Sequence, residues 1–185
     1  GTSFALRDQE DLQPVVGPVA NLVVLRSELD GARTWGDFVA ESAATWREAA
    51  EHAAMPFDRL VLELNPHVDM GRTALFDALY HYAEKAPLTV TLNDVTATER
   101  PTNLGHGKYD VSLLAQRDGD RLLLRLVYNE RYFAASFMAQ LLAHVESALQ
   151  RLVDGWSDPI AAHSLLSETE WVAQRDAYWL SLIHI

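Results

Sequence analysis

The pattern of apolar positions predicts several β-strands. Residues 16–29 form a Val- and Leu-rich run between turn formers, and its apolar side chains at odd and even positions predict burial on both faces. Two later runs flank the turn at residues 117–120 and predict a hairpin, whose alternating first strand indicates one buried face. The predicted strands are residues 1–6, 16–29, 75–82, 88–92, 109–116 and 121–129.

Helical spacing and capping residues predict four helices. Thr34 is placed to cap the first helix, and Asp37 follows at the spacing of a capping box. Pro56 suits the first turn of the second helix, where a missing N–H costs no hydrogen bond. The sequence from Ser167 to Glu170 repeats the capping-box pattern. The predicted helices are residues 34–54, 57–64, 136–153 and a short helix that starts after Ser167.

The order of these elements predicts the fold class. Strand, two helices, strands, hairpin and helix together indicate an α/β chain in an α+β layered arrangement. Residues 93–108 are polar and contain Pro101, Gly105 and Gly107. Because so long a structureless loop is uncommon inside a compact domain, we expect this segment to cross to another unit.

Composition narrows the classes of function. The chain has 185 residues, a net charge of -11 and no cysteine. An acidic surface disfavours binding to a phosphate backbone, so we expect no nucleic-acid partner. The absence of cysteine excludes a disulfide frame, a thiol nucleophile and a thiolate metal site. No apolar run has the roughly 18 residues of a membrane span, and we expect a cytoplasmic protein with no membrane partner.

Three short segments that contain glycine or proline carry a family resemblance. Residues 16–26 contain Gly17, Asn21 and Arg26 at the positions of a Gly-x-x-x-Asn strand motif. Pro56-Phe57-Asp58 follows His52 by four residues, and Asp69 and Arg72 precede Leu75-Phe76. Their order and spacing resemble the late core motifs of condensation domains in non-ribosomal peptide synthetases. In that family Gly17, Arg26, His52, Pro56, Phe57, Asp58, Asp69 and Arg72 correspond to structural motif positions, and Asn21 to a substrate-tunnel position.

Further segments extend the resemblance along the chain. Gly1-Thr2 is similar to the family's upstream Gly-Thr strand, and residues 109–113 to its Tyr/Phe-Asp-Leu-x-Leu strand. Leu165-Leu166-Ser167-Glu168 resembles the link towards an adenylation domain. Several positions depart from the family pattern and leave the subtype open. These are Pro18 and Val19 in place of an aromatic, Leu22 in place of Thr, Gly71 in place of Ser and Ala74 in place of Pro.

The resemblance implies a fold and a domain organisation. Family members have two lobes like chloramphenicol acetyltransferase, with the active site in a tunnel between them, and this chain matches the second lobe. It therefore implies a mixed β-sheet packed by helices. Residues 1–164 are expected to be the C-terminal lobe and 165–180 the start of a linker towards an adenylation domain. Residues 181–185 fit nothing before them, and we expect a tail of doubtful origin.

The resemblance also implies an activity and partners. The family joins carrier-bound donor acyl and acceptor aminoacyl thioesters through an amide bond. Its His-His-x-x-x-Asp-Gly motif belongs to the first lobe, and none of the seven histidines here is adjacent to another. We therefore expect no catalytic residue in this fragment, which would be inactive alone. The implied partners are the missing N-terminal lobe, peptidyl carrier domains that present phosphopantetheine, and a downstream adenylation domain; no cofactor is expected to bind directly.

Two other functions stay open. The first is a non-catalytic condensation-like platform that recruits a carrier domain or a tailoring enzyme. The second is a free-standing acyltransferase of the same superfamily, which would need self-association to build its site. The adenylation-like link at residues 165–170 speaks against the second function.

The sequence leaves individual side chains with competing roles. Asn21 either lines the tunnel and bonds the acceptor or its pantetheine amide, or is satisfied by a neighbouring loop, because a buried amide needs partners. His52 ends a helix, where a cation is favoured by the helix dipole, so a structural role is expected. Asp69 and Arg72 are expected to pair and fix the turn before Leu75. His144 lies on an apolar helix stripe, which predicts a core histidine, and no metal-ligand spacing is present.

Overall fold

A computed structural model describes residues 1–7, 10–64, 73–84, 89–98 and 108–183, with side chains up to residue 176. The chain divides into two compact units, Gly1–Ser27 with Ala44–Met138, and Glu28–Ala43 with Ala139–Ile185. The strands are β1 (Thr2–Ala5), β2 (Ala20–Val23), β3 (Ala78–Ala83), β4 (Thr89–Leu92), β5 (Val95–Thr98), β6 (Val111–Asp118) and β7 (Arg121–Tyr128). The helices are α1 (Trp35–Glu51), α2 (Phe57–Leu64), α3 (Ala135–Asp154) and α4 (Glu168–Ile183).

The first unit contains a mixed three-stranded sheet in the order β3-β6-β7. β3 runs parallel to β6, and β6 runs antiparallel to β7. The predicted hairpin is confirmed, with Asp118 paired to Arg121 across a two-residue turn. Gly119 in that turn has a φ of 59°, a left-handed conformation that glycine adopts without steric cost.

A second pair of strands, β1 and β2, begins the chain and adjoins this sheet. The two strands are antiparallel, with Thr2 opposite Val23. Gly1 connects the pair to β3, because its N–H group donates to Ala78 O at 2.7 Å and its carbonyl accepts from Tyr80 N at 2.8 Å. Residues that are far apart in the sequence therefore meet at the start of β1.

The prediction of a long strand at residues 16–29 is wrong. Only Ala20–Val23 is a strand, since β1 offers four residues for pairing. The predicted burial on both faces is also wrong, because Val16 is fully exposed and the residues of β2 are at most half-buried. An apolar run predicts a preference for extended backbone, but the length of the neighbouring strand sets how much of that run pairs.

The predicted loop at residues 93–108 is wrong over residues 95–98. These residues form β5, which pairs antiparallel with β4, so that Leu92 faces Val95 across the turn Asn93-Asp94. Asn93 has a φ of 53°, which Asn tolerates better than most residues and which suits a two-residue hairpin turn. Residues 99–107 lie outside the described part of the chain.

The helices agree closely with the predictions. α2 has the predicted bounds, and α1 starts after Thr34, whose Oγ1 accepts from Asp37 N at 3.1 Å and donates to Asp37 Oδ2 at 2.7 Å. α4 has 16 residues, so the prediction of a short last helix is wrong in length. Its start is confirmed by the hydrogen bonds between Ser167 and Glu170.

The second unit is ordered around the start of α1. Backbone hydrogen bonds join residues 31–36 to residues 156–161, including Trp35 N to Asp158 O at 3.2 Å and Gly36 N to Trp156 O at 2.9 Å. These bonds satisfy N–H groups that the first turn of a helix leaves without partners. Trp35 is buried, at 7% exposure, as expected for a core tryptophan.

Few of the described side chains are buried. Among hydrophobic residues they are Trp35, Ala53, Ala115 and Met138, and among polar residues Thr2 and Ser112. Ser112 and Ala115 point to opposite faces of β6, so the prediction of a single buried face in the hairpin is wrong. Among the described helices, none is both long and apolar enough to cross a membrane.

Candidate functional site

Motif segments from five parts of the sequence meet in the first unit. They are the start of β1, Asn21 on β2, Phe57 at the start of α2, Phe76 just before β3 and Tyr109 just before β6. Their contacts are an amide network around Asn21 and a chain of aromatic rings around Phe76. We call this region the motif junction.

The Asn21 side chain fixes the loop between α1 and α2. Its Nδ2 donates to Ala53 O at 2.9 Å and to Met55 O at 2.5 Å. Its Oδ1 accepts from Phe57 N at 3.2 Å. Both N–H bonds of the amide are therefore used by the loop, and one acceptor site on Oδ1 remains.

Asn21 also replaces a missing helix cap. Pro56 precedes α2, and its carbonyl accepts the first helical bonds, from Arg59 N and Leu60 N. An N-cap side chain normally accepts from an N–H group of the first turn, but proline has no such acceptor. The side-chain oxygen Oδ1 of Asn21, on β2, accepts a hydrogen bond from the Phe57 N–H. β2 thereby holds the start of α2 in place.

An aromatic chain lies beside this network. The Phe57 and Phe76 rings meet edge to face with centroids 5.8 Å apart, and Phe76 stacks on Tyr109 at 5.6 Å. Lys108 Nζ lies 5.6 Å from the centre of the Tyr109 ring, within the range of a cation–π contact. A Cβ atom at Gly1 would lie 2.6 Å from the Phe76 ring, so a larger residue there would have to displace the ring.

The backbone before Phe76 is strained. Leu75 has a φ of 70°, a left-handed conformation that costs a non-glycine residue roughly 1–2 kcal/mol. Such strain persists where surrounding contacts over-determine the conformation, and the two ring contacts of Phe76 supply that restraint here. The left-handed residue turns the chain so that Phe76 faces the motif junction before β3 begins.

Arg7 organises the loop that leads into β2, a role that the sequence did not indicate. Its guanidinium donates to Leu12 O at 2.7 Å, Gln13 O at 3.3 Å and Val15 O at 2.8 Å through Nη1, and to Gly17 O at 3.0 Å through Nη2. A planar fork with several N–H bonds suits such a set of carbonyls. An arginine after a strand carries no spacing signal, and only the folded loop shows its partners.

We predict that Arg7→Lys loosens the loop at residues 12–17. One ammonium group cannot reproduce the guanidinium fork, so we expect a loss of about 1 kcal/mol and about fivefold faster hydrogen exchange at those amides. Arg117→Lys is the matched control, because Arg117 donates through Nε to a single carbonyl, Gly119 O. Equal exchange in the two variants would contradict the role assigned to Arg7.

The other predicted motif residues are placed as follows. Gly17 is exposed and bonds Arg7 through its carbonyl, while Arg26 is exposed and takes part in a contact of its own. His52 lies in the turn after α1, where its carbonyl accepts from Met55 N at 3.0 Å. Asp58 lies in the first turn of α2, where the helix dipole favours a carboxylate. Asp69 and Arg72 lie outside the described residues.

The side chains of the motif junction hold backbone segments in place and do not transfer protons. The hydrogen-bonding side chain of the motif junction is an amide, and amides and phenyl rings take up no proton near neutral pH. Among the described residues, no group of three or more His, Cys, Asp or Glu is placed to hold a metal ion. Burial and the neighbouring Tyr82 raise the pKa of Tyr80 on β3, which disfavours the phenolate there.

The model of the Condensation domain family matches residues 1–173. The chain belongs to the condensation domain family. The family prediction from the sequence is therefore confirmed. The match includes the first nine residues of the predicted linker, 165–173.

Curated relatives are peptide synthetases. The chain is 28% identical over 170 residues to gramicidin S synthase 2 of Brevibacillus brevis, covering 92% of this chain and 4% of the relative. It is 29% identical over 156 residues to bacitracin synthase 1 of Bacillus licheniformis, covering 83% and 3%. It is 26% identical over 174 residues to surfactin synthase subunit 1 of Bacillus subtilis (strain 168), covering 94% and 5%. The condensation domain chain thus spans a small part of each relative.

Solved structures confirm the fold class. A four-domain nonribosomal peptide synthetase bound to AMP and glycine matches with a TM-score of 0.81 and 18% identity, over 90% of this chain and 14% of that one. The X-domain in complex with OxyB from teicoplanin biosynthesis matches with a TM-score of 0.77 and 22% identity, over 90% and 37%. The predicted mixed α/β fold of a chloramphenicol-acetyltransferase-like lobe is therefore confirmed.

Proposed function

We propose that residues 1–164 are the C-terminal lobe of a condensation domain that forms a peptide bond between two carrier-bound thioesters. The observation that carries this proposal is the family match over residues 1–173. The convergence of the motif segments at Asn21, Phe57 and Phe76 supports it. Residues 165–180 begin the linker towards an adenylation domain, and most of them belong to one helix, α4.

The proposed reaction needs a positioned amine and a proton acceptor. The acceptor amine attacks the donor thioester, a C–N bond forms, the C–S bond breaks, and the donor carrier leaves as a thiol. A base takes the proton of the attacking amine. This chain contributes the tunnel wall and positioning, while the N-terminal lobe supplies the histidine. Holding both thioesters in reacting geometry accounts for much of the acceleration in such two-substrate reactions.

Asn21 keeps one way of contacting a substrate. Because Ala53 O and Met55 O occupy both of its N–H bonds, the amide acts on a ligand only as an acceptor, through Oδ1. The N–H of an acceptor amine or of a pantetheine amide matches that requirement. Asn21 thus combines the two roles between which the sequence did not decide: it holds the loop and offers one acceptor to the tunnel.

The proposed partners follow from this reaction. Peptidyl carrier domains deliver both substrates on phosphopantetheine, which arrives as part of the substrate. The N-terminal lobe completes the tunnel, and the adenylation domain follows α4 in the chain. The synthetase works in the cytoplasm.

The alternative is a condensation-like platform that forms no bond. The observation that favours it is the fold match to an X-domain solved in complex with OxyB. A platform would keep the motif junction as a scaffold but would have lost the histidine motif in the lobe before it.

A product assay separates the two functions. The chain alone and the chain extended through the preceding segment of its gene would each be mixed with donor- and acceptor-loaded carrier domains. We expect amide product with the extended protein and none with the isolated chain. We also expect loss of product when the second histidine of the His-His-x-x-x-Asp-Gly motif in the extended protein is changed to alanine. Product from the isolated chain, or none from the extended protein, contradicts the proposal; binding of carriers without product favours the platform.

A further inference from the structure

A polar cluster in the second unit joins α3 to α4. The Glu170 carboxylate accepts from four donors. Oε1 accepts from the Gln140 amide and from His144 Nε2, the latter at 3.0 Å. Oε2 accepts from Ser167 N and Ser167 Oγ, each at 2.7 Å. Each carboxylate oxygen therefore has two partners, one pair from α3 and one pair from the residue that caps α4.

The α3 donors are placed by helical spacing. Gln140 and His144 are four residues apart, so their side chains lie on the same face of α3. His144 was expected to be a core histidine with its hydrogen bonds satisfied; it has a hydrogen-bond partner, but its position in the core is wrong. Its ring is 24% exposed and is paired with a carboxylate that is 22% exposed.

Apolar packing contributes little over residues 168–176 of α4, whose side chains the structure describes. Among the side chains described in this helix, Glu170 alone is half-buried, and residues 168–169 and 171–176 are all exposed. Trp171 is 51% exposed, and Arg175 lies over its ring. In the described part of α4, the hydrogen bonds of Glu170 are therefore the principal attachment of the helix to α3.

We propose that Glu170 is a latch that docks the first turn of α4 on α3, and that residues 168–176 detach together when this latch opens. Charge-assisted hydrogen bonds are stronger than neutral ones, so the bonds from Gln140 and His144 can dock a helical turn that buries little apolar surface. A segment held this way opens locally at a lower cost than the sheet of the first unit. This inference rests on the contacts alone and does not depend on the proposed peptide-bond formation.

The acidity of Glu170 agrees with the latch. Hydrogen bonds from Ser167 and Gln140, and to a smaller extent from His144, lower the pKa of Glu170 from 4.5 to about 2. A carboxylate with a lowered folded-state pKa contributes stability above 4.5 and loses it as the pH falls to about 2. The titratable side chain that faces it from α3 is His144, and Glu168 lies in its own helical turn, pointing to solvent.

Hydrogen exchange of the whole chain tests the latch. Glu170→Gln should speed exchange of the amides at residues 171–176 by about tenfold, with the β6–β7 amides unchanged. Glu168→Gln is the matched control, because Glu168 is an exposed acid of the same turn. Equal exchange in these two variants, or equal acceleration throughout the chain, would overturn the proposal.

A second variant separates docking from capping. Gln140→Ala combined with His144→Ala removes the α3 donors and leaves the capping bonds between Ser167 and Glu170 intact. We expect the same local acceleration in α4 from this pair. Gln150→Ala is its control on α3, because Gln150 bonds Asp154 of the same helix. If the pair leaves α4 as protected as in this control, Glu170 is a local cap and the latch is refuted.

The pH dependence gives an independent readout. The difference in α4 exchange between the natural chain and Glu170→Gln, compared at the same pH, should be full above pH 4.5 and vanish near pH 2. A difference that stays constant across this range would also overturn the latch, because it would not depend on the carboxylate.

Discussion

Asn21→Asp should destabilise the chain by about 3 kcal/mol at neutral pH, more than the roughly 2 kcal/mol expected for Asn21→Ala. Alanine leaves Ala53 O, Met55 O and the Phe57 N–H without their partner. Aspartate keeps the acceptor for Phe57 but places a carboxylate oxygen against two carbonyl oxygens. Repulsion between these oxygens adds to the lost hydrogen bonds.

Chemical denaturation at two pH values measures this prediction. Protonation of Asp at position 21 restores one donor, so the excess cost of aspartate over alanine should shrink as the solution is acidified. Gln174→Ala is the control, since it deletes an exposed amide from α4. If Asn21→Ala is as mild as this control, the loop is not held by the amide, and the scaffold role of Asn21 fails.

Phe76→Ala is expected to cost about 2–3 kcal/mol and to lower Tm by about 5–10 °C. The ring contacts Phe57 and Tyr109, and its removal opens a space beside Gly1. The half-buried position explains why the value is below that of a fully enclosed phenylalanine. Loss of the ring also removes the restraint that holds Leu75 in its left-handed conformation, so the turn before β3 should loosen.

Thermal unfolding followed by circular dichroism checks the cost of Phe76→Ala. Phe137→Ala is the matched control, because Phe137 is 53% exposed although it also stacks on another ring, that of Phe133. We expect the control to lower Tm by less than half as much. Similar losses in the two variants would mean that the aromatic chain of the motif junction adds nothing beyond ordinary ring contact.

Local signals in the sequence were sufficient for the helices and the hairpin. The capping residues Thr34 and Ser167 identify where α1 and α4 start. A capping box can be read from the sequence because it depends on side chains only three positions apart. The bounds of α2 follow from Pro56 and from the Asn65-Pro66 break. The ordered motifs likewise gave the family, which needs no knowledge of contacts.

Features that depend on distant partners were missed. The paired part of residues 16–29 is set by the length of β1, and no pattern within the run records that length. The roles of Arg7 and Glu170 depend on carbonyls and donors brought together by folding. The roles assigned to the motif residues stay predictions, and the aromatic contact of Phe57 with Phe76 appears only once the loops close.

The Asn21 side chain caps α2 through the Phe57 N–H, which lies 36 residues later in the chain. Proline at position 56 is tolerated because the acceptor comes from Asn21 on β2. The residue types at positions 21 and 56 are therefore interdependent. A relative with Ser or Asp at position 56 would have a capping acceptor of its own, and the residue at position 21 would be needed mainly for the carbonyls of Ala53 and Met55. In an alignment of condensation domains, we therefore expect the residues at positions 21 and 56 to covary.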